Sequence, residues 1–288
     1  MKLSGVFTAI VTPFSKGKVD YGKLAELVHI QLDAGIEGIV PVGTTGESPT
    51  LTVDEHLKVI ETVIKTASGK SLVVAGTGAN STAEAVHLTK MAKNIGADAT
   101  LQVTPYYNKP TQEGLYRHFS SVADECELPV VLYNVPGRSG LTIAIETIER
   151  LSSNPYIVCV KEAGGSAERV SAIKNVCDIT VLSGDDSLTL PMMSLGAEGV
   201  ISVASNIIPA EVKAMVDAWK EGNMDSALSI HNKYYRFFSD LFIETNPIPI
   251  KAAMAAKNLI NEEYRLPICP MNQKNRETLL AAMEAAGI

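Results

Sequence analysis

Eight short apolar runs alternate with helical stretches over roughly 230 residues, one connector is used three times, and no run is followed by GxGxxG. Together these predict an α/β chain: a single (β/α)8 TIM barrel with a C-terminal helical appendage. The connector comes first. GIEGIVPV from Gly35, GADATLQV from Gly96 and GAEGVISV from Gly196 align without gaps, each a glycine, an apolar residue, an acid and a small residue ahead of a strand. A glycine there suits the left-handed cap that ends a helix, and the short turn then feeds a buried strand. The other runs are residues 6–11, 72–75, 130–133, 157–160 and 180–183, which brings the strands to eight.

Helices fill the gaps. Thr52 with Glu55 and Ser81 with Glu84 each match a capping box, in which two side chains satisfy each other's backbone N–H groups. The first opens a stretch with Val53, Leu57, Ile60 and Ile64 at helical spacing, and another stretch carries Leu115, Phe119, Val122 and Cys126. Beyond Ser205 the strand signal stops: residues 208–219, 224–242, 250–259 and 275–286 read as helices, punctuated by Pro247, Pro249, Pro267 and Pro270. The expected division is a barrel core over 1–205 and, over 206–288, a closing helix and a helical region packed on the barrel, with no flexible linker between them.

Composition narrows the function. With 46% hydrophobic and 20% charged residues among 288, the chain can bury a large core. Its 25 Lys and Arg against 32 Asp and Glu leave a formal charge of −7 with no block of like sign. That argues against a nucleic-acid or anionic-membrane surface and for small soluble partners. The N-terminal apolar run is broken by Thr8, Thr12 and Pro13, too weak for a signal peptide or a spanning helix, so a cytoplasmic location is expected. Cys126, Cys159, Cys177 and Cys269 show no CxxC pairing, and no His or Cys cluster has metal-ligand spacing.

In such a barrel, chemistry sits at the C-terminal ends of the strands. Lys161 ends the sixth strand, Tyr133 ends the fifth, and Thr44 and Thr45 follow the second, so all converge on one mouth. Burial disfavours the charged form of an amine, and a neutral amine meeting a carbonyl suggests a Schiff base. Glu162 alternates to the opposite side and reads as structural. VGTTGES, residues 42–48, fits either a plain strand-to-helix turn or an anion cradle, in which Gly43 and Gly46 let backbone approach a ligand carboxylate. Asp185 and Asp186 after the seventh strand speak against a phosphate site. In YNVPGRSG, residues 133–140, the Tyr133 phenol can relay protons and the Arg138 fork can hold a second carboxylate. The plain alternatives, a half-buried aromatic and a solvated loop cation, stay open on these residues alone.

GTTGE (43–47), GTGAN (76–80), VTPYYNKP (103–110), YNVPGRSG (133–140), VKEAGG (160–165) and NPIPIK (246–251), in this order and at these strand ends, resemble the 4-hydroxy-tetrahydrodipicolinate (dihydrodipicolinate) synthase family. The likeness spans essentially the whole chain. That family is a branch of the pyruvate-dependent class I aldolases, beside N-acetylneuraminate lyase and the 2-keto-3-deoxy sugar acid aldolases, and an arginine and a tyrosine at the places of Arg138 and Tyr107 set it apart.

The resemblance implies that Lys161 condenses with pyruvate, held through its carboxylate by Thr45, and that the resulting enamine attacks L-aspartate 4-semialdehyde, held by Arg138. It implies a proton relay of Tyr133, Thr44 and Tyr107, with Tyr107 reaching in from a neighbouring subunit of a homo-oligomer, tetramer or tight dimer. The carbonyl of Val203 is expected to face the site, and neither a metal nor a dissociable cofactor is implied. The product would be 4-hydroxy-tetrahydrodipicolinate, at the first committed step towards diaminopimelate and lysine. L-Lysine is an expected inhibitor, bound by Ser48, His56, Asn80, Glu84 and Tyr106, although Pro49 and Val53 stand where sensitive members often carry alanine and histidine. Two other readings are a sugar acid aldolase and a non-catalytic keto acid sensor. Arg138 speaks against the first, and the intact set Thr44, Thr45, Tyr133 and Lys161 against the second.

Overall fold

The computed structural model describes residues 1–288. Eight parallel strands close into a barrel in chain order: β1 (Gly5–Ala9), β2 (Gly38–Val40), β3 (Leu72–Gly76), β4 (Ala99–Val103), β5 (Val130–Asn134), β6 (Ile157–Glu162), β7 (Thr180–Ser183) and β8 (Gly199–Ser202). β8 returns to β1, with Val6 opposite Val200. Around them lie α1 (Tyr21–Asp33), α2 (Val53–Ala67), α3 (Thr82–Ile95), α4 (Gln112–Cys126), α5 (Pro136–Ser139), α6 (Ile145–Ser152), α7 (Glu168–Val176), α8 (Thr189–Met193) and α9 (Pro209–Lys220). The appendage adds α10 (Met224–Asp240), α11 (Ile248–Ala256) and α12 (Gln273–Ala286). No helix is long and apolar enough to cross a membrane.

The strands are buried on both faces, and their period of two sorts the side chains into two layers. In β5, Val131 and Tyr133 belong to a cluster of 13 residues inside the barrel, while Val130 and Leu132 belong to the layer of 66 under the helices. β6 follows the same rule, with Cys159 inward and Val160 outward. It also runs on past the apolar stretch to Glu162, so Lys161 is placed inside the barrel by strand geometry and Glu162 outside. Each fully buried side chain of the size of Phe7 or Phe119 contributes about 1.5–3 kcal/mol through water exclusion.

The reused connector behaves as expected, since Gly35, Gly96 and Gly196 all sit in the left-handed region, with φ of 72°, 106° and 102°. The two expected capping boxes differ. Thr52 and Glu55 form the full reciprocal pair, but Ser81 accepts only the Glu84 N–H at 3.5 Å and the Glu84 carboxylate does not return. That carboxylate lines a cavity instead. The sequence reading also missed a two-stranded ribbon, Phe14–Ser15 with Lys18–Val19, too short to carry a period. Its turn is held from the appendage, where Glu263 accepts the Lys16 and Gly17 N–H groups at 2.9 Å each.

Candidate active site

Tyr133 and Lys161 are register partners on β5 and β6, both turned into the barrel. Their side chains meet there: the Lys161 amine lies 4.2 Å from the centroid of the Tyr133 ring, and both residues are buried. No carboxylate neutralises this amine, because Glu162 faces away and is consumed outside the barrel. It accepts from Asn134 Nδ2 at 2.8 and 3.0 Å, from the Gly164 N–H at 2.7 Å and from Arg169 Nε at 3.0 Å. Glu162 is therefore structural, as alternation suggested. Gly184, at the end of β7, makes room for the amine's stem: a Cβ there would lie 3.0 Å from Lys161 Cε and 2.7 Å from Ala163 Cβ.

A cavity of about 580 Å³ opens above Lys161. Thr45, Tyr133, Arg138 and Val203 line it, as do Asp185 and the appendage residues 242–246. Thr45 is buried, and its Oγ1 accepts from Asn246 Nδ2 at 2.9 Å, which leaves the hydroxyl hydrogen free to donate. The N–H groups of Thr44 and Thr45 find no acceptor within the chain, whereas those of Gly46 and Glu47 turn back onto Gly43 and Thr44. Unsatisfied donors beside a buried hydroxyl suit an anion. Gly46 does not serve as expected. A Cβ there would meet Val42 N at 2.9 Å, so this glycine permits the loop to fold on itself rather than a ligand to approach.

Arg138, carried by α5, donates from Nη2 to the Asn246 carbonyl at 3.0 Å and keeps its remaining donors for the cavity. Asn246 is the site residue that sequence reasoning passed over. It sits in the quoted NPIPIK stretch, but only the fold shows that it touches both Thr45 and Arg138. Val203 lines the cavity, but its carbonyl oxygen, expected to face the site, already accepts from Asn206 N at 3.1 Å and Nδ2 at 3.0 Å. Asp186 holds that loop, taking the Val203 and Ala204 N–H groups at 2.9 and 3.1 Å.

Thr44 points elsewhere, to a second cavity of about 410 Å³ that shares Tyr133 and Arg138 with the first. Its wall also carries Ser48, His56, Glu84 and Tyr106, with Pro49 and Val53. Asn80 stands at its edge, donating to the Tyr106 carbonyl at 3.3 Å. The expected effector residues are thus gathered in one place. His56 is buried rather than exposed on its helix: Nε2 faces the Gly76 carbonyl at 2.9 Å, Nδ1 faces Ser48 Oγ at 3.4 Å, and burial lowers its pKa. The Tyr106 phenol is pushed up by burial and then by the nearby Glu84 carboxylate. Tyr107 joins neither cavity. It is 91% exposed at the tip of a tight turn, with φ of 69° and the Asn108 N–H donating across it to the Tyr106 carbonyl at 2.8 Å.

Residues 2–286 match the model of the dihydrodipicolinate synthetase family. The chain belongs to this family. It is 50% identical over 286 residues, 99% of either chain, to the 4-hydroxy-tetrahydrodipicolinate synthase of Pelobacter propionicus. Among solved structures, the 4-hydroxy-tetrahydrodipicolinate synthase of the thermoacidophilic methanotroph Methylacidiphilum fumariolicum SolV superposes with a TM-score of 0.98 at 47% identity, covering 99% of this chain and 96% of that one. The family's enzyme from Cyanidioschyzon merolae, solved with lysine bound, gives a TM-score of 0.95 at 42% identity, covering 99% and 98%.

Proposed function

We propose that the residues around Lys161 carry the condensation of pyruvate with L-aspartate 4-semialdehyde to 4-hydroxy-tetrahydrodipicolinate, the reaction that opens diaminopimelate and lysine biosynthesis. The observation that carries this assignment is an unpaired, buried lysine amine at the base of a cavity, with free N–H donors on one wall and a guanidinium on another. Lys161 attacks the pyruvate carbonyl and loses water to form an imine. Thr45 and the adjacent N–H groups hold the carboxylate. Loss of a methyl proton gives the enamine, whose carbon attacks the semialdehyde, and Arg138 holds that substrate's carboxylate. The Tyr133 ring packs against the Lys161 amine, its phenol is the group that moves protons at the imine nitrogen, and Thr44 lines the second cavity with it. The product's own amine then displaces Lys161 as the ring closes, regenerating the enzyme. The set needs no metal ion.

The strained, outward Tyr107 is the part this chain cannot use alone, and backbone strain of this kind clusters at functional sites. Its place is in the relay of a second copy, in a homo-oligomeric, cytoplasmic enzyme. The 410 Å³ cavity, in turn, is proposed to take L-lysine as inhibitor. Glu84 has a carboxylate for the ammonium, and the lysine-bound relative supports this use of the fold.

Incubation with pyruvate, reduction by borohydride and mapping of the adduct test the central claim. The expected adduct is on Lys161 and is lost in Lys161→Ala; an adduct on any other lysine removes the assignment.

A further inference from the structure

The loop Gly43–Glu47 presents both threonines of the site, and it ends in a residue that neither cavity contains. Glu47 is almost fully buried and adopts the left-handed conformation, φ 55°, which a non-glycine residue takes at a cost unless its surroundings hold it there. Its carboxylate turns away from the substrate cavity into the barrel's flank. There Oε1 meets Lys251 Nζ at 2.5 Å and Oε2 takes the Arg265 N–H at 3.3 Å. Lys251 is itself fully buried, donates also to the Thr12 carbonyl at 3.2 Å, and lies 4.3 Å from the centroid of the Phe14 ring.

Two further contacts show what this pair acts on. Asn246, five residues before Lys251 in the chain, donates to Thr45 Oγ1 at 2.9 Å. Thr12, whose carbonyl Lys251 contacts, donates from Oγ1 to the Gly46 carbonyl at 2.6 Å. Thr45, Gly46 and Glu47 are therefore each pinned by a group that Lys251 either carries on its own segment or touches. A buried ion pair is a poor way to stabilise a fold, since a well-packed apolar pair is often as good or better. Its stronger use is to specify one arrangement.

We propose that Glu47 and Lys251 are positioning residues for the keto acid, setting the Thr44–Thr45 donors in the geometry that receives its carboxylate. This rests on the assignment of Thr45 to the pyruvate carboxylate. A displacement of about 1 Å in such a donor set can cost a hundredfold in rate. The pair lines neither cavity and reaches Arg138 only through the Asn246 carbonyl, whereas it holds the threonine loop at Glu47 itself, so pyruvate binding is expected to suffer more than semialdehyde binding.

The test uses the full-length enzyme and the uncharged double variant Glu47→Gln/Lys251→Met, which avoids the unpaired buried charge that each single change would leave. Measured are the thermal midpoint, kcat, KM for each substrate, and the rate of borohydride-trapped pyruvate adduct. The expected result is a midpoint within a few degrees of wild type, with kcat/KM for pyruvate and the trapping rate down by about ten- to a hundredfold and the semialdehyde KM raised by no more than about twofold. A stable double variant that traps pyruvate at the wild-type rate overturns the proposal. So does one that melts early with both KM values raised together, or one that does not fold, because the pair is then a structural requirement only. The wild-type enzyme is run alongside: if it forms no Lys161 adduct, the assignment of the site has failed rather than the positioning role.

Discussion

Lys161 and Lys251 are both buried, yet their surroundings give them opposite work. Burial pulls the Lys251 pKa below its ordinary value while the facing Glu47 carboxylate pulls the other way, and the amine is tethered to that carboxylate. Lys161 has the Tyr133 ring beside it and no carboxylate partner, and it faces the cavity where the keto acid is proposed to bind. Arg138 is the other residue whose role can be isolated. With one fork atom on the Asn246 carbonyl, it is anchored but not consumed. Arg138→Ala is expected to leave pyruvate trapping intact and to cost about 2–5 kcal/mol in kcat/KM for the semialdehyde, as loss of a desolvated charge contact does. Unchanged semialdehyde kinetics would reassign the arginine. The places of Lys161 and Tyr133 at neighbouring strand ends were legible in the sequence from strand alternation, whereas the roles expected of Tyr133 and Arg138 came from the family resemblance. Asn246 was not legible, since nothing in an asparagine ahead of a proline says which distant hydroxyl it will meet.

Among the elements, α2 shows how the appendage is tied to the barrel. Its N-terminal Glu55 closes the capping box with Thr52 and also takes both arms of Arg265, at 2.6 Å each. Hydrogen bonding to Arg265, ahead of the other causes, holds the Glu55 carboxyl down at about 2 from its ordinary 4.5. A depressed carboxyl stabilises the folded state above its unfolded pKa, and that contribution is lost as pH falls towards the folded one. Arg265→Ala is therefore expected to melt below wild type at pH 7, with the gap narrowing as pH falls from about 4.5 towards 2. Thermal midpoints of both proteins across that range check it, and a gap that stays constant would mean that Arg265 acts through packing alone. Of the two capping boxes legible in the sequence, only this one formed fully. Spacing alone cannot tell a Glu that caps from one, like Glu84, that a nearby cavity claims.

For the whole molecule, the two cavities share Tyr133 and Arg138, so whatever fills the smaller one lies against residues of the larger. The enzyme is expected to sediment as a homo-oligomer, to bind L-lysine at millimolar concentration and to slow when it does. Glu84→Ala is expected to abolish both binding and inhibition without affecting pyruvate trapping. Calorimetry, initial rates and sedimentation on one preparation decide this: a fully active monomer would contradict the role given to Tyr107, and lysine that neither binds nor slows turnover would remove Glu84 from regulation.

Local rules acting along the chain determined much of this protein from its sequence alone. Apolar runs, left-handed glycine caps and period-two alternation count the strands, close the barrel and turn Lys161 inward, because each depends on neighbours a few residues away. The tertiary structure alone decided which separated segments meet. It brought residues 246–265 back onto the Gly43–Glu47 loop, sent Thr44 and Thr45 to different cavities, and buried His56 against the Gly76 carbonyl. These contacts join residues up to 218 positions apart, and their partners are chosen by packing of the finished core rather than by any local preference of the chain.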